Sequence, residues 1–307
     1  MTSLVIGAQG FIGSHLVDFL LARGDCVIAT GRSEAALREG ALNRRLDVLD
    51  AAAVQSLVEE FQPDEVYHLA AQSLPKLSWD DPKSTFRVNV DGTLNVLNSI
   101  RDAQKNVRMV FASSSSIYAQ HPDGNPITED GPLLPSSPYG VSKLAAEQLV
   151  RLYALRDGLQ AVIARPFFLI GSRKTGDVCS DWARSIAEIE RGARTELKVG
   201  NLDVLRDFLP VEDGVRALAV AAEKGRSGEA YNIASGRGWN LHEVLDMFAA
   251  SALCSVPVRV DPSLLRPVDE RVKIGDNTRL KKLGWAELGE VSDAIHRTLE
   301  YWRSVAP

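Results

Sequence analysis

Short apolar runs alternate with amphipathic stretches through the first half of the chain, the pattern of parallel strands joined by crossover helices. Residues 4–6 read as a first strand and 11–23 as its helix, stopped at Gly24. Strands follow at 26–30, 45–48, 65–70, 108–112 and 160–164, the last stopped by Pro166. Helices are expected at 51–61, ended by Pro63, at 86–102 and at 139–156. After Pro166 the alternation breaks down. Residues 182–191, 211–224, 241–251 and 291–303 read as helices, 196–199 as a short strand, and 229–234 as a strand returning to the main sheet. The pattern predicts an α/β protein with a doubly wound parallel sheet and a smaller, discontinuous C-terminal lobe. Residues 1–166 and 205–235 are assigned to the sheet domain, and 167–204 and 236–307 to the lobe. A site is expected in the crevice beyond the carboxyl ends of the strands. Segment 120–138, rich in Pro, Asp and Ser, reads as a surface loop beside it.

Composition changes this picture little. The 307 residues are 45% hydrophobic and 24% charged, as in ordinary globular proteins. A net charge of −5 gives no electrostatic reason to expect nucleic acid. No apolar run reaches membrane-spanning length, and a glycine loop at Gly7 leaves no room for a secretory leader. Cys26, Cys179 and Cys254 lie far apart, and the five histidines show no metal-type spacing. The expectation is a cytoplasmic protein with reduced thiols and no metal site.

Three motifs carry chemistry. Gly7-Ala8-Gln9-Gly10-Phe11-Ile12-Gly13 follows a strand and opens a helix. Gly7, Gly10 and Gly13 allow a tight turn and close backbone approach to a pyrophosphate, which the helix N-terminus attracts. This makes the sheet Rossmann-like. NAD binders place an acidic residue after the second strand; here the run is Thr30-Gly31-Arg32-Ser33. Arg32 and Ser33 suit a 2′-phosphate, so NADP(H) is expected. The alternative, NAD, leaves Arg32 solvated and puts Glu34 on the ribose. Tyr139 and Lys143 are four apart on one helix face. A cation about 4 Å from a phenol at an effective dielectric near 20 supplies roughly 4 kcal/mol, enough to bring the phenol toward neutrality. The serine cluster 113–116 lies upstream.

Together these motifs resemble the extended short-chain dehydrogenase/reductase family, its sugar-nucleotide-modifying (epimerase/dehydratase) branch, from about residue 3 to the end. The resemblance implies Tyr139 as acid/base, Lys143 on both the phenol and the nicotinamide ribose, and Ser114 as the hydroxyl on the same substrate oxygen. It implies cofactor contacts from Phe11, Ile12, Asp47, Val48, Leu69, Ala70, Ala71 and Pro166, a structural role for Asn89, and substrate contacts from Gln72, Ser115 and Ser116. A polar strand-to-loop transition also explains Ser113 and Ser115. The C-terminal half is similar to the GDP-6-deoxy-4-keto-mannose reductase group in the segments 198–202, 206–208, 265–269 and 274–277. There Arg206 and Arg266 are implied as pyrophosphate clamps, with Val199 and Asp269 also at the substrate; a surface ion pair to Asp207 or Asp269 is the plain alternative for either arginine. Phe168 stands where the family has a substrate-binding asparagine.

Family 4,6-dehydratases carry a glutamate after the catalytic hydroxyl residue; this chain has Ser115-Ser116, and a neutral hydroxyl is too weak a base. The implied function is NADP(H)-dependent reduction of a nucleotide-linked 4-ketosugar. A C4 epimerase with tightly held NAD is the alternative, and a dehydratase or a non-catalytic dinucleotide sensor ranks below both. A homodimer through helices 86–102 and 139–156 is implied too, with Leu94, Leu97, Leu144 and Leu152 as candidate anchors.

Overall fold

Leu4, Val5 and Ile6 are fully buried because β1 (Thr2–Ile6) runs through the middle of the main sheet with helices on both faces. The computed structural model describes residues 1–33, 38–103, 106–120, 124–265 and 270–305. After β1 come α1 (Phe11–Ala22), β2 (Cys26–Gly31), β3 (Leu42–Arg45), α2 (Ala51–Phe61), β4 (Glu65–His68), α3 (Pro75–Asp80), α4 (Pro82–Phe86), α5 (Gly92–Asp102), β5 (Arg108–Ala112), α6 (Pro138–Asp157) and β6 (Gln160–Pro166). The chain continues with β7 (Phe168–Ile170), α7 (Val178–Glu190), β8 (Leu197–Val199), β9 (Leu205–Arg206), β10 (Phe208–Pro210), α8 (Val211–Lys224) and β11 (Ala230–Ile233). It ends with β12 (Trp239–Asn240), α9 (Leu241–Ser251), β13 (Val258–Val260), β14 (Val272–Lys273), α10 (Thr278–Lys281) and α11 (Val291–Val305).

The main sheet is a parallel, doubly wound one of 7 strands in the order β11-β6-β5-β4-β1-β2-β3. Its order reverses between β1 and β4, where carboxyl ends open a crevice. On one face α1 and α8 cover Val5, Ala29 and Tyr67. On the other, α2, α5 and α6 cover Leu4, Ile28 and Phe111. A further core around Trp182, Ile186, Val199, Phe248 and Leu299 joins α7, β8, α9 and α11.

Four expectations change. The third strand is not at 45–48 but at Leu42–Arg45, an exposed edge with no apolar signal; Leu46 and Val48 instead turn down under α2. The helix expected at 86–102 begins earlier and contains a π turn, Arg87–Asp91, between α4 and α5. Pro166 does not stop β6 from outside: it is the last residue of the strand, paired with Ile233, where a missing N–H costs least. Finally, Leu280 and Trp285 pack in the core beneath α1 and α8, so the stretch 236–307 is not wholly a lobe.

Candidate active site

Ser137 caps α6 by accepting from the Gly140 amide at 3.1 Å, with Pro138 at the first helical position. This sets Tyr139 and Lys143 in the first turns of α6, 8% and 3% exposed. Gly140 lets the helix approach the serine loop, since a Cβ there would lie 2.5 Å from the Ser116 carbonyl oxygen. At that approach the Ser114 hydroxyl comes close enough to the Tyr139 phenol to favour its ionised form. Ser114 Oγ also accepts from the Ser116 amide at 3.1 Å. Lys143 Nζ lies 4.5 Å from the centroid of the Phe111 ring.

The electrostatics differ from the sequence expectation. Burial pushes the Tyr139 phenol above its ordinary value, and the Ser114 hydroxyl pulls it partly back. Burial dominates the phenol in this fold, so the cation one turn away does not by itself bring it toward neutrality. Burial brings Lys143 itself down to about 7, opposed by the Glu147 carboxylate one turn along. Tyr139 is therefore held protonated, the form a proton donor needs. His68 stays neutral: burial and then Lys143 lower it to about 3. Thr93 Oγ1 donates to the Asn89 carbonyl at 2.7 Å and pairs with His68 Nε2 at 3.0 Å, which makes Nε2 the protonated nitrogen.

Two braces hold these groups. Asn89, in the π turn, accepts from the Gln72 amide at 2.8 Å and donates to the Gln72 carbonyl at 3.1 Å and to Ser142 Oγ at 2.9 Å. It thus ties the end of β4 to α6. Gln72, expected at the substrate, has both side-chain N–H groups committed to the Leu74 carbonyl and Thr85 Oγ1, so it braces the loop instead. Beneath Lys143, Arg165 donates to both oxygens of Glu147, at 3.1 and 2.5 Å. Ser113 Oγ donates to Glu147 at 2.7 Å, and Arg165 reaches Tyr118 and the Glu129 carbonyl, each at 2.7 Å. Sequence reasoning passed over Glu147 and Arg165, although Glu147 repeats the four-residue spacing from Tyr139 to Lys143.

The glycine loop fits a dinucleotide. Gly7 has φ +96°, and a Cβ on it would lie 2.6 Å from the Ala70 amide nitrogen; on Gly13 it would lie 2.2 Å from the Gly7 carbonyl oxygen. Gly10 is the N-cap of α1, with Phe11 and Ile12 in its first turn. The loop lies at the switch point, with Leu69, Ala70 and Ala71 leaving β4 beside it. Arg32 and Asp47 are exposed at the ends of β2 and β3, while Val48 is buried against Gly92.

On the lobe side, Arg206 lies in β9 with its guanidinium 5.6 Å from the Phe168 centroid. Asp207 is not available as its surface partner. That fully buried carboxylate accepts from the amide and hydroxyl of Ser235, both at 2.7 Å, and from the amides of Gly236 and Gly275, both at 3.0 Å. Val199 is buried in the lobe core, so packing accounts for it. Ser115 is buried and Ser116 half-buried. Arg266, Asp269 and Glu34 lie outside the described residues.

Comparison with known proteins matches this architecture. The family described as GDP-mannose 4,6 dehydratase matches residues 4–298. The GDP-6-deoxy-D-mannose reductase of Pseudomonas aeruginosa is 32% identical over 304 residues, covering 98% of this chain and 96% of the relative. The structure of RMD from Pseudomonas aeruginosa complexed with NADPH aligns with a TM-score of 0.87 at 31% identity, covering 99% of both chains. A UDP-glucose 4-epimerase from Thermotoga maritima with UDP-glucose aligns at 0.90 and 28% identity, covering 100% of both. With its glycine loop, Tyr/Lys helix and doubly wound sheet spanning that whole match, the chain belongs to the GDP-mannose 4,6-dehydratase family, among the NAD(P)-dependent nucleotide-sugar enzymes.

Proposed function

We propose that this chain carries out the NADP(H)-dependent reduction of a nucleotide-linked 4-keto or 4-keto-6-deoxy sugar, with Tyr139 as proton donor. The observation that carries the reading is the buried cluster of Tyr139, Ser114 and Lys143, with the hydroxyl residues Ser115 and Ser116 following Ser114 where the family's dehydratases carry a glutamate. When bound, the dinucleotide supplies the hydride. Tyr139 Oη holds the proton that the substrate oxygen takes up, and Ser114 orients it. Lys143 gives the phenolate that forms a cationic neighbour. Arg206 clamps the substrate pyrophosphate through its planar fork of donors. The Pseudomonas reductase and the NADPH of its structural neighbour support the assignment.

Purified protein given a GDP-linked 4-keto-6-deoxy sugar should consume NADPH. Tyr139→Phe should lower kcat by about a hundredfold or more while the protein stays folded. Turnover unchanged in that variant would overturn the reading. The likeness to UDP-glucose 4-epimerase favours a second reading, C4 epimerisation. NAD retained through purification, with no net NADPH consumption, would select it.

The same reading includes a cytoplasmic homodimer. Val141, Leu152 and Leu155 are exposed on one face of α6, 42%, 48% and 87% respectively. Val141 also lines a groove of about 540 Å³ with Trp79, Pro82, Phe86 and Pro135. Of the anchors expected from sequence, Leu97 is in the core, Leu94 and Leu144 are partly buried against it, and Leu152 is open.

A further inference from the structure

β2 and β3 pair in a register that sets Thr30 beside Arg44 and Gly31 beside Arg45. Successive side chains leave a strand on opposite faces. Arg44 goes to the α2 face, where its guanidinium sits 5.1 Å from the Phe61 centroid and 3.5 Å from Glu60. Arg45 leaves on the other face, that of Gly31. There the Gln9 side chain crosses from the glycine loop, its Cδ and Oε1 2.3 Å from where a Gly31 Cβ would be. Gln9 Nε2 donates to the Ser33 carbonyl at 2.8 Å and to Ser33 Oγ at 2.7 Å. Ser33 Oγ accepts that bond and so keeps its own hydrogen to donate. Arg32 and Arg45 are exposed and make no hydrogen bond or ion pair with another described residue.

An NAD ribose calls for an acceptor at the end of β2. At position 31 a carboxylate would have to displace the Gln9 side chain from its bonds to Ser33, and the charged side chains flanking it, Arg32 and Arg45, are cations. We infer that Arg45 and Gln9 complete, with Arg32 and Ser33, a subsite for the 2′-phosphate of NADP(H), in which Arg45 is the second cation and Gln9 holds Ser33 in place. The inference rests on the glycine loop being a dinucleotide site.

Calorimetric titration of the full chain with 2′,5′-ADP and 5′-AMP tests it without turnover. Wild type should bind 2′,5′-ADP at least about tenfold more tightly than 5′-AMP, and Arg45→Gln should lose about tenfold on 2′,5′-ADP while changing 5′-AMP binding less than about twofold. Arg45 is exposed, so the variant should melt with wild type. Wild-type affinity for 2′,5′-ADP in Arg45→Gln would overturn the role of Arg45. Equal wild-type affinity for both probes would overturn the subsite while leaving the dinucleotide reading intact. Binding of neither probe would overturn both.

Discussion

Lys143, a buried ammonium on α6, stands at a cost in stability. In the fold its amine titrates near 7 rather than near 10.5, chiefly because burial disfavours the ammonium. Between those values the unfolded chain binds the extra proton, so the penalty is full below about pH 7 and fades as pH rises through 10.5. Each unit of depression corresponds to about 1.4 kcal/mol. Lys143→Met should therefore melt higher than wild type at neutral and acid pH, with the gap closing toward pH 10.5, while catalysis is lost. Melting curves across that range check it; a gap independent of pH would refute the account. The spacing of Tyr139 and Lys143 was legible because helix geometry places residues four apart on one face. The direction in which each group shifts was not, because desolvation depends on Phe111 and His68, which come from other strands.

At the level of elements, the glycine turn and the buried pair under α6 make distinct predictions. Gly7→Ala meets both a positive φ and the Ala70 backbone, so it should cost at least about 2 kcal/mol and abolish dinucleotide binding. Chemical denaturation and a fluorescence titration measure the two effects. Glu147→Gln strands the buried Arg165 charge, a loss of about 3–5 kcal/mol. It also removes the carboxylate that supports the Lys143 ammonium, so the alkaline limb of activity should move to lower pH. A variant with lowered stability and an unmoved pH profile would reduce Glu147 to a packing role. The helices at 51–61 and 241–251 were legible from their periodicity, and the structure adds the side chains that open them. Asp50 caps α2, and the Asn240–Glu243 capping box opens α9. β8 was legible at 196–199, but β7, β9, β10 and β12 to β14 escaped because strands of two or three residues carry little alternation to read.

For the whole molecule, the exposed α6 face and its apolar groove bear on assembly. Leu155→Glu should turn a sedimenting dimer into a monomer, with little effect on the melting point of the isolated fold. A wild-type monomer at all concentrations would discard the interface. Fold class, glycine turn, Tyr/Lys pair and the absence of a base at Ser115-Ser116 were determined by the sequence alone, because each is written in local spacing or residue type. The tertiary structure decided what depends on distant partners. It placed Ser114 against Tyr139, committed Gln72 and Asp207 to bracing, and set Glu147 and Arg165 beneath Lys143 of α6. Burial and hydrogen bonding between residues far apart in the chain leave no periodic trace, so only the folded arrangement reveals which polar groups are occupied and which remain for a ligand.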